Sequence, residues 1–173
     1  LPQLAVVGTR NPTAIGRDTA MQFARHLAEA GLAITSGLAL GIDAAAHRGA
    51  LAARGRTIAV LGCGLDRVYP RGHARLASEV AANGALVSDL PTGIPPLKHH
   101  FPRRNRLISG LAAGTLVVEA ALQSGSLITA RLAGEQGREV FAIPGSIHNP
   151  LSRGCHRLIR QGAKLVESVD DIF

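Results

Sequence analysis

Residues 4–37 of the chain read LAVVGTRNPTAIGRDTAMQFARHLAEAGLAITSG, and this stretch decides the fold class. It opens with Leu4–Thr9, a short apolar run that predicts a strand. Apolar residues then recur at helical spacing through Ala14–Ala30, and Gly31 is a stop signal for that helix. A second apolar run, Leu32–Ser36, predicts another strand. A strand, a helix and a strand in immediate succession predict two parallel strands joined by a crossover helix.

The same alternation continues along the rest of the chain. Further strands are predicted at Thr57–Gly62, Ala85–Leu90, Thr115–Glu119, Glu139–Ile143 and Leu165–Val166. Further helices are predicted at Ile42–Arg54, Gly72–Asn83, Pro102–Ala113, Ser126–Gly137 and Ser152–Gln161. Strands that are apolar on both faces and alternate with helices are typical of a parallel sheet covered on both sides. We therefore predict a Rossmann-like α/β fold, a doubly wound and mostly parallel sheet with helices on both faces in three layers.

The composition fits one such domain. The chain has 173 residues, 46% of them apolar and 18% charged, which predicts a single domain over residues 1–173. No apolar run approaches the ~20 residues of a membrane-spanning helix, so we expect no membrane segment. The chain begins with Leu1-Pro2 instead of methionine, so we expect it to be excised from a longer protein. Cys63 and Cys155 are too few for a disulfide scaffold, and we interpret them as free thiols in a reducing compartment, the cytoplasm, with a disulfide as the alternative.

The net charge of the chain is strongly positive. Lysine and arginine number 19 against 12 acidic residues, which gives a net charge of +7. All of these cations except Lys98 and Lys164 are arginines. A GC-rich genome would favour arginine on codon grounds alone. Phosphate recognition would favour it because the planar guanidinium matches phosphate oxygens. Both explanations account for the total charge, so only the positions of the arginines along the chain can distinguish them.

Small residues follow most of the predicted strands, as in Gly8-Thr9-Arg10 and Ser36-Gly37. Ligands of doubly wound folds bind at these carboxyl ends, where open backbone N–H groups suit anions. Tight turns require glycine in the same places, so a purely structural role remains open. The spacing after the first strand does not fit G-x-G-x-x-G, and no G-x-x-x-x-G-K-[ST] motif is present. The sequence therefore predicts no nucleotide cofactor, and its histidines lack metal-ligand spacing.

The most distinctive segment is KHHFPRRNR at residues 98–106, within a stretch that has no acidic residue between Asp89 and Glu119. We predict Pro102 as the first residue of a helix, which places three arginines in the opening turns. Cations at a helix N-terminus oppose the helix dipole, so their presence indicates that an anion binds there. Phe101 could stack on a base while the cations hold phosphates. The alternative is a core phenylalanine beside solvated arginines.

Three other features are weaker. Arg153, Arg157, Arg160 and Lys164 fall on one predicted helix face, opposite Leu151, Cys155, Leu158 and Ile159, as on many surface helices. Asp43 and His47 are four residues apart on one helix and could pair, although Asp43 suits a helix start by itself. Glu119 ends a strand, which is a common place for catalytic carboxylates.

Several ordered motifs together resemble the Rossmann-like domain of the DNA-processing protein A family (DprA, also called Smf), and the resemblance runs through nearly the whole chain. The motifs are VVGTR (6–10), TSGLALGIDAAAH (35–47), VLGCGLDRVYP (60–70), HFPRRNRLISGL (100–111), VVEAALQSGSLITA (117–130), FAIPGSI (141–147) and GCHRLIRQGAKLV (154–166).

The resemblance implies a binding protein and not an enzyme. Members bind single-stranded DNA with little sequence preference, protect incoming strands during natural transformation, and help load the RecA recombinase. They form homodimers, which here would involve His156, Ile159 and Leu165, and usually carry an N-terminal helical domain and a C-terminal winged-helix-like domain that this chain lacks. The implied DNA-binding residues are Arg10, Ser36, Gly37, Lys98, Phe101, Arg103, Arg104, Asn105 and Arg106, with Arg71 as a weaker contact.

Two other functions stay open at this point. The stretch from Gly110 to Glu119 loosely resembles the G-G-x-G-T-x-x-E signature of Rossmann-like nucleotide phosphoribohydrolases, which cleave a glycosidic bond. Ser109 stands where the first glycine is expected and Ala113 intervenes, so the signature is degraded. A regulatory module that binds a small nucleotide is the other alternative.

Overall fold

The computed structural model describes residues 1–173 as seven strands and six α-helices, with three short 3-10 turns. The strands are β1 (Gln3–Val7), β2 (Ala33–Ser36), β3 (Thr57–Val60), β4 (Ala85–Val87), β5 (Gly114–Val117), β6 (Glu139–Ala142) and β7 (Lys164–Leu165). The helices are α1 (Ala14–Glu29), α2 (Ile42–Ala52), α3 (Ala74–Asn83), α4 (His100–Leu111), α5 (Ser126–Glu135) and α6 (Arg153–Arg160). All thirteen elements correspond to elements predicted from the sequence.

The strands form one sheet in the order β4-β3-β2-β1-β5-β6-β7, and every neighbouring pair is parallel. The chain winds outward from β1 to β4 and then returns to β5 on the other side of β1. Crossovers between parallel strands are right-handed, so this reversal puts α1, α2 and α3 on one face and α4, α5 and α6 on the other. The predicted doubly wound, three-layer α/β fold is confirmed. The reversal beside β1 is also where such sheets open a crevice for ligands.

The core lies on both faces of the sheet because the side chains of a strand alternate. On β1, Leu4 and Val6 pack with residues of α1 and α2 in one cluster. Ala5 and Val7 pack with residues of α4 and α5 in another. Both clusters include many alanines, and these small side chains let the helices approach the sheet and one another closely.

The contact between α1 and α2 depends on Gly49. A Cβ atom at this position would meet the Met21 carbonyl oxygen and would lie 3.0 Å from the Ala24 Cβ atom. We expect Gly49→Ala to lower the free energy of unfolding by about 2 kcal/mol, because the backbone of α1 has to move. Gly134→Ala on α5 is the matched control, since a Cβ atom there meets nothing within 4 Å. The control should raise the stability by about 0.5–1 kcal/mol through helix propensity. Urea unfolding measures both, and equal changes would contradict the close-packing argument.

The structure corrects three predicted details. Helix α4 begins at His100, so Pro102 is its third residue and not its first, although it still lies in the turn where its missing N–H group is not needed. Residues Arg71–His73 form a 3-10 turn before α3. Lys164 lies in β7, so only Arg153, Arg157 and Arg160 share the exposed face of α6.

No helix has the length and apolar character needed to span a bilayer. Both cysteines are buried free thiols.

Candidate nucleic-acid interface

A cleft of about 800 Å³ opens at the carboxyl ends of the strands, next to β1. Its two walls differ in chemistry. One wall is basic and aromatic, and it comprises Arg10, Tyr69, Lys98, Phe101 and Arg104. The rest of the lining is polar and includes Asn105, Gln123, Ser124, Ser126 and Thr129, and its one acidic residue is the buried Asp43. The cleft therefore combines cationic groups, which can bind anions, with aromatic rings.

Arg104 lies at the base of the basic wall and is only 4% exposed. Its Nη1 atom donates to the carbonyl oxygens of Gly37, at 2.8 Å, and Val60, at 2.6 Å, and its Nε atom donates to Asn105 Oδ1 at 3.1 Å. These bonds join the ends of β2 and β3 to α4. The Nη2 atom makes no hydrogen bond within the chain and is not enclosed, so its two donors are free for a ligand in the cleft.

The turn after β2 is held by buried side chains. The Gly37 N–H group donates to Asp43 Oδ2 at 3.0 Å. The next residue, Leu38, has a φ of 59° and is held by two imidazoles: its N–H group donates to His47 Nε2 at 3.2 Å, and its carbonyl oxygen lies 2.8 Å from His73 Nδ1. Asp43 and His47 therefore do not pair with each other, and each separately fixes the turn on which Arg104 rests.

Asp43 supplies the negative charge nearest to Arg104. A Cβ atom on Gly37 would lie 2.7 Å from Arg104 Nη1 and 2.8 Å from Asp43 Oδ2, so only glycine fits between the two groups. Burial lowers the pKa of the Arg104 guanidinium, and the charge of Asp43 opposes that shift. Burial likewise raises the pKa of Asp43, and Arg104 and the Gly37 amide oppose it. Each charge thus makes the burial of the other tolerable.

Phe101 packs under the basic wall and contacts charged and aromatic neighbours. The Cζ atoms of Arg10 and Arg104 lie over its ring, 5.6 and 5.4 Å from the ring centroid. The Tyr69 ring lies at a centroid distance of 5.4 Å, tilted by 44°. A Cβ atom on Gly62 would lie 2.8 Å from two ring carbons of Phe101, so Gly62 allows the ring to sit against the end of β3. Phe101 therefore positions both arginines through cation–π contacts.

The remaining predicted DNA-binding residues have different environments. Lys98 is exposed and lines the cleft beside Arg10. Arg71 and Arg103 are exposed on neighbouring surface outside the cleft lining and make no ion pair. Arg106 also lies outside the lining and forms an ion pair with Asp89.

Ser36 and Gly37 are buried and do not line the cleft. The Ser36 hydroxyl donates to the Val6 carbonyl oxygen at 2.6 Å, and both polar backbone groups of Gly37 are engaged by Asp43 and Arg104. The structure thus gives these two residues a supporting position beneath the cleft and leaves their polar groups no free contact with a ligand.

The Glu119 carboxylate is also engaged in hydrogen bonds within the protein. Its carboxylate accepts hydrogen bonds from the Thr13 N–H group at 2.9 Å, the Thr13 hydroxyl at 2.7 Å and Asn149 Nδ2 at 3.4 Å. It is 8% exposed and does not line the cleft. These contacts fix the start of α1, and they leave no geometry that favours the phosphoribohydrolase alternative.

The predicted dimer residues lie on α6 and β7, at one edge of the sheet. Ile159 packs partly against the core, and His156 Nε2 accepts a hydrogen bond from the Gly145 N–H group at 3.1 Å. Leu165 is 41% exposed on β7, which pairs only with β6 and so leaves one edge of the sheet open.

Comparisons with known proteins cover the whole chain. A family model described as DNA recombination-mediator protein A matches residues 1–173. Protein Smf of Escherichia coli K12 is 58% identical over 172 residues, which is 99% of this chain and 46% of that protein. The X-ray structure of DNA processing protein A from Streptococcus pneumoniae has a TM-score of 0.92 and 50% identity, and the match covers 99% of this chain and 60% of that one.

A further solved structure bears on ligands. It is described as giving the single-stranded DNA binding mode of DNA processing protein A from Helicobacter pylori. Its TM-score is 0.91 at 33% identity, and the match covers 99% of this chain and 78% of that one. The chain spans about half the length of the curated relatives it matches.

Proposed function

The chain belongs to the DNA recombination-mediator protein A family, and on this basis we propose that its cleft binds single-stranded DNA with little sequence preference. Membership confirms the resemblance drawn from the sequence motifs. The observation that carries the proposal is the buried Arg104, whose Nη2 donors face a cleft shared with Arg10, Lys98 and two aromatic rings. The Helicobacter pylori protein, which shares this fold, supports the same ligand.

The chemistry of the cleft favours a single strand over a duplex. Arg10, Lys98 and Arg104 can hold backbone phosphates, and aromatic faces can stack on bases of any sequence. A duplex keeps its bases stacked on one another, so its bases cannot reach the rings, and only its phosphates remain to be bound. On the same basis we propose a binding role for the protein and not an enzymatic one.

Salt dependence tests the proposal directly. Fluorescence anisotropy of a labelled oligo-dT just long enough to span the cleft, titrated with the protein, should give a slope of log affinity against log salt of about −2, because three cations line the cleft and each single-strand phosphate contact contributes about −0.7. Affinity should then fall about 20-fold between 50 and 200 mM salt. Lys98→Gln should make the slope less negative by about 0.7.

The control for this titration is Arg56→Gln, which removes an exposed arginine just before β3, at the amino edge of the sheet and away from the cleft. It should leave the slope nearly unchanged. A matched duplex should bind more weakly than the single strand at every salt concentration. Equal binding of both DNA forms, or no binding of either, would contradict the proposed function.

We propose a wider role on the same basis. The protein protects incoming strands during natural transformation, acts in the cytoplasm and helps to load the RecA recombinase, a role that the family description as a recombination mediator supports. It forms a homodimer through His156, Ile159 and Leu165, and the open edge of β7 with the exposed Leu165 supports this location. On strands long enough to leave the cleft, Arg71, Arg103 and Arg106 extend the DNA path, with Arg106 released from its ion pair with Asp89, and each added phosphate contact makes the salt slope more negative.

A further inference from the structure

Lys98 is the only cation of the cleft that carries a primary amine. The chain has one other lysine, Lys164, and the rest of its lysine and arginine total is arginine. The Lys98 side chain is exposed, lines the cleft and forms no ion pair. An amine that has lost its proton reacts with acyl donors, whereas a guanidinium stays protonated and does not. Acylation can therefore remove a positive charge from the cleft at Lys98 alone.

The surroundings of Lys98 attract small anions. Arg10 and Arg104 line the same cleft, and the Nη2 donors of Arg104 are free. The only acid in the lining is Asp43, which is buried and lies beside Arg104. A concave surface with this excess of positive charge raises the local concentration of anions. A reagent that carries a phosphate group is thus concentrated around the Lys98 amine.

Lys164 is also exposed, but its neighbours are acidic. It lies on β7, and the chain continues from it to Glu167, Asp170 and Asp171. The backbone N–H groups of Glu167 and Ser168 lower the pKa of the Asp171 carboxyl, and the positive charge of Lys164 lowers it further. An acid close to Lys164 repels an anionic reagent, so the two lysines should differ in their reactivity toward one.

We propose that Lys98 is a modification site, acylated by small acyl phosphates that the cationic cleft attracts, and that its acylation weakens DNA binding. The effect on DNA rests on the proposed function. In the reaction the unprotonated Nζ atom attacks the acyl carbon, so that an N–C bond forms and the C–O bond to the phosphate breaks. The phosphate leaves with the electron pair of that bond and takes up the proton of the amine. The product is a neutral amide, and the cleft has lost one cation.

The first test follows the reaction of the folded protein with acetyl phosphate by mass spectrometry. A protease that cleaves after arginine releases residues 76–103 with Lys98 and residues 161–173 with Lys164, each as a peptide with one lysine. Lys98 should be acetylated about fivefold faster than Lys164 in about 100 mM salt, a ratio that corresponds to one ion pair at contact in water. In about 1 M salt the screening length falls from about 10 to about 3 Å, so the two rates should become nearly equal.

The second test measures oligo-dT affinity by anisotropy after acetylation of Lys98 has gone to completion. The unmodified sequence should lose about fivefold in about 100 mM salt, and its salt slope should become less negative by about 0.7, because one phosphate contact is removed. Lys164→Arg is the matched control and should lose the same factor. Lys98→Arg has no amine in the cleft, so treatment should not change its affinity relative to its own untreated sample. Circular dichroism shows whether each sample is folded.

Equal acetylation of the two lysines in low salt would overturn the assignment of Lys98 as the selective site. A loss of affinity in treated Lys98→Arg that matches the loss in the unmodified sequence would overturn its effect on DNA. If the untreated protein did not bind oligo-dT, the proposed function would fall and the effect on DNA with it. The mass spectra are measured without DNA, so that failure remains distinguishable from a failure of the modification site itself.

Discussion

Arg104→Ala is expected to reduce single-stranded DNA affinity at least a hundredfold and to lower the free energy of unfolding by about 3–5 kcal/mol. The change removes the Nη2 donors that face the cleft and the cation over the Phe101 ring. It also leaves the carbonyl oxygens of Gly37 and Val60 without their donor, and it leaves the buried Asp43 carboxylate without the nearest positive charge. Anisotropy titration and urea unfolding measure the two effects separately.

The two effects can be separated by a second substitution. In the double variant Asp43→Ala with Arg104→Ala, neither buried charge remains, so part of the lost stability should return even though the Gly37 N–H group also loses its acceptor. DNA affinity should stay low, because the donors that face the cleft are still missing. Arg104→Lys retains the charge but cannot reproduce the forked contacts to Gly37 and Val60, so it should fall between the alanine variant and the unmodified protein.

If Arg104→Ala bound oligo-dT normally while folded, Arg104 would be a structural residue alone and the site would have to be built on Arg10 and Lys98. If the double variant recovered DNA binding together with stability, the loss in the single variant would be a folding effect. Both results can be interpreted because binding is measured at a temperature where circular dichroism shows each variant to be folded.

The fold was predictable because its signals are local. Most strands of the parallel sheet lie in short apolar runs, and glycine ends helices such as α1, where Gly31 has a φ of 97°. The errors are also local. Pro102 suggests a helix start, yet α4 begins two residues earlier because His100 packs into the preceding loop, where its Nδ1 atom lies 3.1 Å from the Pro95 carbonyl oxygen.

The sequence predicted where the basic residues of the site lie, but it did not predict which of its arginines are buried and which are exposed. One available signal was the phase of α4: Arg104 lies four residues before the buried Ile108, so it belongs to the helix face that packs on the sheet. Arg103 and Arg106 fall on the exposed face of the same helix. The cluster of like charges therefore contains one buried arginine, which needs partners, and two solvated ones.

Other parts of the site depend on long-range contacts that no local pattern encodes. Tyr69 meets Phe101 across 32 positions of sequence, and Arg104 meets Gly37 across 67. The charge balance between Asp43 and Arg104 has the same origin. The spacing of Asp43 and His47 suggested a pair, but the fold turns each toward a different residue of the turn after β2.

His47 is expected to make the protein lose stability in acid. It is fully buried, and burial lowers its pKa to about 3, with the positive charges of Arg104 and Arg48 acting in the same direction. The Thr57 hydroxyl donates to the Ile34 carbonyl oxygen, so His47 Nδ1 carries the hydrogen that Thr57 accepts, and the bare Nε2 accepts from the Leu38 N–H group. A proton on Nε2 would break the bond that holds the turn beneath the cleft.

The direction of the pH effect on stability follows from the pKa values of His47 in the folded protein and in the unfolded chain. In the unfolded chain His47 takes up a proton near pH 6.5, whereas in the folded protein its pKa is about 3. The stability is fully present above pH 6.5 and is lost progressively as the pH falls toward 3. At pH 4.5 the loss should reach about 2–3 kcal/mol, at about 1.4 kcal/mol for each pH unit below 6.5. Asp43 changes the stability in the opposite direction as the pH falls, because its pKa is raised in the folded protein.

The measurement is urea unfolding of the unmodified protein and of His47→Gln at pH 7 and pH 4.5. Asp43 and the other titrating groups are common to both proteins, so the difference between them isolates His47. The glutamine variant should be less stable at pH 7, because it loses the contacts to Leu38 and Thr57, but the gap should narrow by about 2–3 kcal/mol at pH 4.5. A gap of the same size at both pH values would mean that folded His47 binds its proton as readily as the unfolded chain does, which would contradict the lowered pKa.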